Sequence, residues 1–208
     1  MSTSPLDVSP VIPVVQLPPD CDPVLAGVGI ARALVAGGIL IIEVTLRTDG
    51  AIDAICAIRE QVPEILVGAG SVLDLAGLGA ALAAGAQFVV TPGTSQTLRT
   101  ALGEVGVPVL PGAGSVSEVL ELRDAGFTEI KVFPAEPLGG PAFLKALLAP
   151  VRDVRVCPTG GITQASAPAY LSMGNVPCVG GSWLTPPDLV RAADWPAITA
   201  LARVASGR

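Results

Sequence analysis

Apolar runs of four to seven residues alternate along this chain with longer stretches rich in alanine and leucine. The runs fall at 11–17, 39–45, 65–69, 87–91, 107–110, 129–134, 154–158 and 177–180, and their length and apolar character predict strands. The stretches between them predict helices, and the return from helix to strand repeats a pattern with a glycine placed to cap the helix. It is seen in Leu34-Val-Ala-Gly-Gly-Ile-Leu40, Leu82-Ala-Ala-Gly-Ala-Gln-Phe88, Leu122-Arg-Asp-Ala-Gly-Phe127 and, more weakly, Leu171-Ser-Met-Gly-Asn-Val176. Eight strand–helix units of about twenty to thirty residues predict one compact (β/α)8 TIM barrel, an α/β fold, over residues 11–208. A doubly wound open sheet is the alternative. It needs a glycine-rich dinucleotide turn, and Gly68-Ala-Gly-Ser-Val72 lacks that fingerprint. Residues 1–10 are expected to be a flexible polar lead.

In such barrels the chemistry gathers where strands end and loops begin, so polar residues at the strand ends are the candidates. Lys131 is the most unusual of them, a lysine inside the apolar run 129–134 and one of only two lysines in the chain. Burial disfavours the charged form of a lysine and makes the neutral amine, a carbonyl nucleophile, available. The alternatives are a head group that reaches water past the strand end, or a structural ion pair with Glu129 or Glu136. In the run 39–45, alternation sets Glu43, Thr45 and Arg47 on one face, opposite Ile42 and Val44. Glu43 can move protons and Arg47 can grip a carboxylate in its two-pronged fork, unless the two simply pair with each other.

The third predicted strand exits through glycines to Ser71, a hydroxyl donor. The fourth and fifth leave through Pro92-Gly93 and Pro111-Gly112, sharp turns able to shape a pocket wall. The last two leave through Cys157-Pro-Thr159-Gly160-Gly161-Ile162 and Val179-Gly180-Gly181-Ser182-Trp183, at the barrel position where phosphate groups commonly bind. Free backbone N–H groups there can cradle an oxyanion, and the hydroxyls of Thr159 and Ser182 add donors.

Composition removes several classes of function. A net charge of −6 and an aromatic content of 3% leave no basic stripe or stacking platform for nucleic acid. Each long apolar stretch is interrupted, by Arg32 and Gly37-Gly38 in one and by Asp74 and Gln87 in another, so no membrane span is expected. The first basic residue is Arg32, so the start of the chain lacks the cationic region of a secretory signal, and a cytoplasmic location is expected. The chain has no histidine, which removes Ser-His and Cys-His nucleophile pairs and the usual general base. Its four cysteines, Cys21, Cys56, Cys157 and Cys178, form no C-x-x-C pair, so no metal site is expected. Cys157 and Cys178 lie in apolar runs and are expected to be core residues.

Taken in order, Gly37-Gly38 with Glu43-Val-Thr-Leu-Arg-Thr48, Gly68-Ala-Gly-Ser-Val72, Thr91-Pro-Gly93, Lys131-Val-Phe-Pro-Ala-Glu136, Pro158-Thr-Gly-Gly-Ile162 and Gly180-Gly-Ser-Trp183 cover nearly the whole chain. On these motifs the chain resembles the bacterial 2-dehydro-3-deoxy-6-phosphogluconate (KDPG) and 4-hydroxy-2-oxoglutarate (KHG) aldolases. The resemblance implies a metal-free class I aldolase with no cofactor beyond a covalent Schiff base between Lys131 and a 2-keto acid. It implies that Glu43 shuttles protons, that Arg47 and Ser71 bind the pyruvyl carboxylate, and that Phe133 and Pro92 shape the pocket. By the same resemblance Gly160, Gly161, Gly181 and Ser182, with Thr159, hold a phosphate, the products are pyruvate and glyceraldehyde 3-phosphate, and the assembly is a homotrimer.

Two departures are visible. Ser71 stands where the family usually has threonine, and no basic residue precedes Arg32, although many relatives carry one just after the first strand. The second departure leaves the choice between phosphorylated and unphosphorylated substrates open, and a related aldolase acting mainly on 4-hydroxy-2-oxoglutarate or on the galactonate epimer of the substrate is the first rival reading. A non-catalytic barrel that binds a phosphorylated metabolite is a rival reading, opposed by the joint presence of Glu43, Arg47 and Lys131. A phosphate-binding isomerase barrel is a weaker rival, because isomerisation gives no reason for a lysine in the sixth strand.

Overall fold

The computed structural model describes residues 4–207. Its strands are β1 (Val11–Val15), β2 (Ile41–Thr45), β3 (Leu66–Gly70), β4 (Val89–Val90), β5 (Val109–Leu110), β6 (Gly112–Ala113), β7 (Glu129–Val132), β8 (Arg155–Pro158) and β9 (Val179–Gly181). All named pairings are parallel. Parallel strands are covered on both faces, which is why β2 is buried at every position and reads as a continuous apolar run around Glu43.

Helices follow the strands: α1 (Pro23–Ala36), α2 (Ala51–Gln61), α3 (Leu75–Ala83), α4 (Gln96–Leu102), α5 (Val116–Asp124), α6 (Gly140–Leu148), α7 (Ala167–Leu171), α8 (Pro187–Arg191) and α9 (Trp195–Ser206). Asp22, Asp74, Ser95, Ser115 and Asp194 cap α1, α3, α4, α5 and α9, each accepting a backbone N–H at the helix start. Such a cap contributes about 1 kcal/mol. The repeated glycine turn is real in three of its four copies: Gly38, Gly85 and Gly126 take φ of 87°, 83° and 93° after α1, α3 and α5.

The eight predicted strands are all found, but hydrogen bonding divides them into sheets ordered β5-β4-β3-β2-β1-β9 and β6-β7-β8, a curled parallel α/β arrangement. The division falls at Pro111, which has no N–H to offer a ladder. Its carbonyl still accepts from Lys131 N–H at 2.9 Å, while Gly112 N–H turns to the Thr91 hydroxyl at 2.8 Å. One parallel bridge, Thr159 to Gly180, joins the exit of β8 to β9.

The expectation of a flexible lead over 1–10 is corrected from Ser4 onward, and residues 1–3 lie outside the described residues. Pro5–Asp7 form a 3-10 turn capped by the Ser4 hydroxyl. Leu6 is 1% exposed, and the Ser4 hydroxyl donates to the Glu129 carboxylate at 2.7 Å. Burial of one leucine side chain is worth about 1.5–3 kcal/mol, enough to hold a short segment whose polar appearance suggested otherwise. Cys157 and Cys178 are core residues as expected. The neighbouring Cys157 thiol and burial push the Cys178 thiol well above its usual range, so it is no nucleophile.

Candidate active site

Two strands on opposite sides of the fold bring the central pair together. Glu43 on β2 and Lys131 on β7 are 2% and 4% exposed, and Nζ donates to Oε1 at 3.1 Å. Lys131 therefore pairs with neither neighbour considered from sequence. Glu129 binds Ser4 and Arg155 instead, and Glu136 accepts from the Tyr170 hydroxyl at 2.8 Å. Space for the Glu43 carboxylate comes from Gly70 on β3, where any Cβ would overlap it. A buried ammonium–carboxylate pair of this kind is a poor source of stability. Passing one proton across the contact turns it into a neutral amine and a carboxylic acid, a nucleophile beside a general acid.

Arg47 does not pair with Glu43. Its Nε donates to Ser71 Oγ at 2.8 Å, and among the described residues no carboxylate lies within ion-pairing distance of it. Its terminal nitrogens remain available for a carboxylate ligand. Arg47, Lys131, Thr45 and Phe133 line a cavity of about 420 Å³, with the Phe133 ring centroid 5.7 Å from Nζ. Thr45, which the sequence reading placed on this face without a role, is 1% exposed and donates to the Val15 carbonyl at 3.0 Å, tying β2 to β1. Glu43 and Ser71 are not among the lining residues of the cavity, but each bonds directly to one that is, Lys131 and Arg47 respectively. Pro92 is also outside it, and its carbonyl lies against Gly112, where only a glycine leaves room.

The far wall of the cavity consists of Thr159, Gly160, Gly161, Gly180, Gly181 and Ser182, from the exits of β8 and β9. Gly160 and Gly161 take φ of 104° and 80°, and a Cβ on Gly161 would stand 2.7 Å from the Glu136 Cβ. The exit of β8 is held to the segment after β7 by backbone bonds from Ala135 N–H to the Thr159 carbonyl (2.8 Å) and from Glu136 N–H to the Gly160 carbonyl (3.0 Å). Burial, with the hydrogen bond to Glu136 second, raises the Tyr170 hydroxyl far above the usual phenol range, so it remains a protonated donor locking that turn. We expect Gly161→Ala to lose about 1–3 kcal/mol of stability, from both the left-handed backbone and the contact with Glu136. Thermal unfolding should register this as a drop of about 2–10 °C in Tm.

The sequence reading missed Arg191, at the end of α8, which lines the same cavity together with Thr185 and Gln16. The available signal was its isolation, since it is the one basic residue between Arg155 and Arg203. Among the described residues no group of three histidine, cysteine, aspartate or glutamate side chains is placed to hold a metal ion.

The family described as KDPG and KHG aldolase matches residues 3–201. The chain belongs to the KDPG and KHG aldolase family. It is therefore a Schiff-base aldolase, a carbon–carbon lyase. The KHG/KDPG aldolase of Escherichia coli (strain K12) is 46% identical over 200 residues, covering 96% of this chain and 92% of the relative. Among solved structures, the KDPG aldolase of Legionella pneumophila, with pyruvate captured as a covalent carbinolamine, superposes with a TM-score of 0.91 at 39% identity. That match covers 97% of this chain and 96% of the other. The corresponding aldolase of Zymomonas mobilis gives 0.89 at 43% identity, over 97% of this chain and 94% of that one.

Proposed function

We propose that this KDPG and KHG aldolase family member cleaves 2-dehydro-3-deoxy-6-phosphogluconate reversibly to pyruvate and glyceraldehyde 3-phosphate, through a Schiff base on Lys131. The observation that carries the reading is the buried 3.1 Å Lys131–Glu43 pair beside a cavity lined by Arg47, which pairs with no carboxylate among the described residues. The Arg47 fork grips the C1 carboxylate and presents C2 to Nζ. Glu43 takes a proton from the ammonium, and the amine adds to the C2 carbonyl. The protonated Glu43 then gives that proton to the departing hydroxyl of the carbinolamine, which leaves as water. The resulting iminium is the electron sink. Glu43, again a carboxylate, removes the C4 hydroxyl proton, the C3–C4 bond breaks, and its electron pair forms the enamine as the aldehyde departs. Protonation at C3 and hydrolysis release pyruvate and restore Lys131.

The phosphoryl group sits against the backbone of Gly160, Gly161 and Gly181 and the hydroxyls of Ser182 and Thr159. Phe133 packs on the pyruvyl group, while Pro92 acts only indirectly, through Gly112. The Thr159–Gly180 bridge and the continuity of β5 with β6 through Pro111 support reading the two sheets as one closed eight-stranded barrel, a single domain. Exposed Leu73 and Leu75, 69% and 51% accessible, provide apolar surface for the homotrimer we expect, in a cytoplasmic enzyme.

Steady-state release of pyruvate from KDPG and from KHG tests the reading. Turnover of KDPG with the higher kcat/KM is the expected result, and release of pyruvate from neither overturns it. KHG as the preferred substrate is the second reading, favoured by Gln16-Leu17-Pro18-Pro19, an exit from β1 with no cation. Arg47→Ala should raise KM for either keto acid by about tenfold to a hundredfold, the loss expected for a charge-assisted carboxylate grip. Initial rates across a substrate series will measure it.

A further inference from the structure

If a phosphoryl group of about two negative charges occupies the glycine-rich wall, the cavity needs a cation that the first strand does not supply. Three basic residues line the cavity: Lys131, Arg47 and Arg191. The first faces the carbonyl and the second the carboxylate. Arg191 remains, on the last turn of the short helix that follows the Ser182 exit.

Its surroundings orient it. Arg191 Nε donates to Asp20 at 2.9 and 3.2 Å, and Nη1 donates to Asp188 at 3.2 Å. Asp20 lies on the loop leaving β1, next to Pro18 and Pro19, which line the cavity. A guanidinium has five N–H donors, and Nη2 makes no hydrogen bond among the described residues. Its Asp188 partner is 97% exposed, so that contact is easily exchanged for a better anion.

We propose that Arg191 is the cation of the phosphoryl subsite, offering its Nη2 edge to the substrate phosphate in the cavity it shares with Gly160, Gly161 and Ser182, and so setting the preference for phosphorylated 2-keto acids. Asp20 is then a positioning residue that keeps the side chain over the cavity, and also a competitor for its charge. The inference rests on the phosphate reading of the glycine-rich wall.

The test is Arg191→Gln assayed on KDPG and on 2-dehydro-3-deoxygluconate, the same carbon skeleton without phosphate. KM for KDPG should rise about tenfold with kcat little changed, while kcat/KM for the unphosphorylated acid moves by less than about twofold. The affinity for inorganic phosphate, measured by calorimetry on the resting enzyme, should fall by a similar factor. Asp20→Asn removes the competing charge but keeps an Oδ1 acceptor that holds Arg191 Nε in place, so KM for KDPG should be at or below the wild-type value. Equal losses on both substrates, an unchanged KM for KDPG, or an Asp20→Asn variant that copies Arg191→Gln would each overturn the proposal, the last by assigning the ion pair a purely structural role. Failure of the wild type to turn over either acid would instead count against the aldolase reading, with phosphate affinity still reporting on Arg191.

Discussion

Lys131→Ala is expected to eliminate the pyruvate adduct trapped by borohydride and to lower kcat by at least about 10⁴-fold, the scale seen when a covalent nucleophile is removed. Intact-protein mass spectrometry with peptide mapping checks the first effect and pyruvate release the second. An adduct on Lys145, which is exposed on α6, or on no residue at all would end the Schiff-base assignment. The variant has a structural consequence as well, because it leaves the Glu43 carboxylate buried without its ammonium partner. Breaking a buried pair from one side costs about 3–5 kcal/mol, limited here by the option of taking up a proton. Lys131→Ala combined with Glu43→Gln removes both charges and should recover much of that stability while recovering none of the activity. Lost chemistry is thereby separated from lost folding.

The strand–helix rhythm was legible because parallel strands buried on both faces are apolar throughout, and because the helix-to-strand turns use a left-handed glycine such as Gly38, Gly85 or Gly126. Strand alternation also placed Glu43, Thr45 and Arg47 on one face. It could not name partners, since the contact of Glu43 with Lys131 spans 88 positions and depends on how the sheet curls. Glu129 and Glu136, the partners of the alternative structural reading, are near in sequence, yet Ser4 with Arg155 and Tyr170 claim them. The ordering of Pro5–Asp7 was hidden for the same reason, because Leu6 has its burial site among distant residues. Pro111 looked like a simple turn and instead separates two hydrogen-bonded sheets, a consequence of its missing N–H at one particular register. Arg191 escaped notice because its five-residue helix has no periodicity to read.

Glu43→Gln should divide the reaction in a way Lys131→Ala cannot. Glutamine keeps the size of the side chain and can still accept from Nζ across the 3.1 Å contact, so Lys131 stays in place. What it removes is the group that carries protons. Three steps use that group: removal of the ammonium proton from Lys131, loss of water from the carbinolamine, and removal of the C4 hydroxyl proton. Loss of one positioned acid–base group typically lowers a rate by about 10²–10⁴-fold, and its repeated use places the expected fall in kcat toward the upper end. Pyruvate should still form an adduct at Lys131 when borohydride is present for long enough, though more slowly. Trapping rate and steady-state kcat measured side by side check this. A variant that turns over within about tenfold of wild type would remove Glu43 from the mechanism and pass proton transfer to water. A variant that forms no adduct even at long times would make the carboxylate necessary for presenting Lys131 rather than for moving protons.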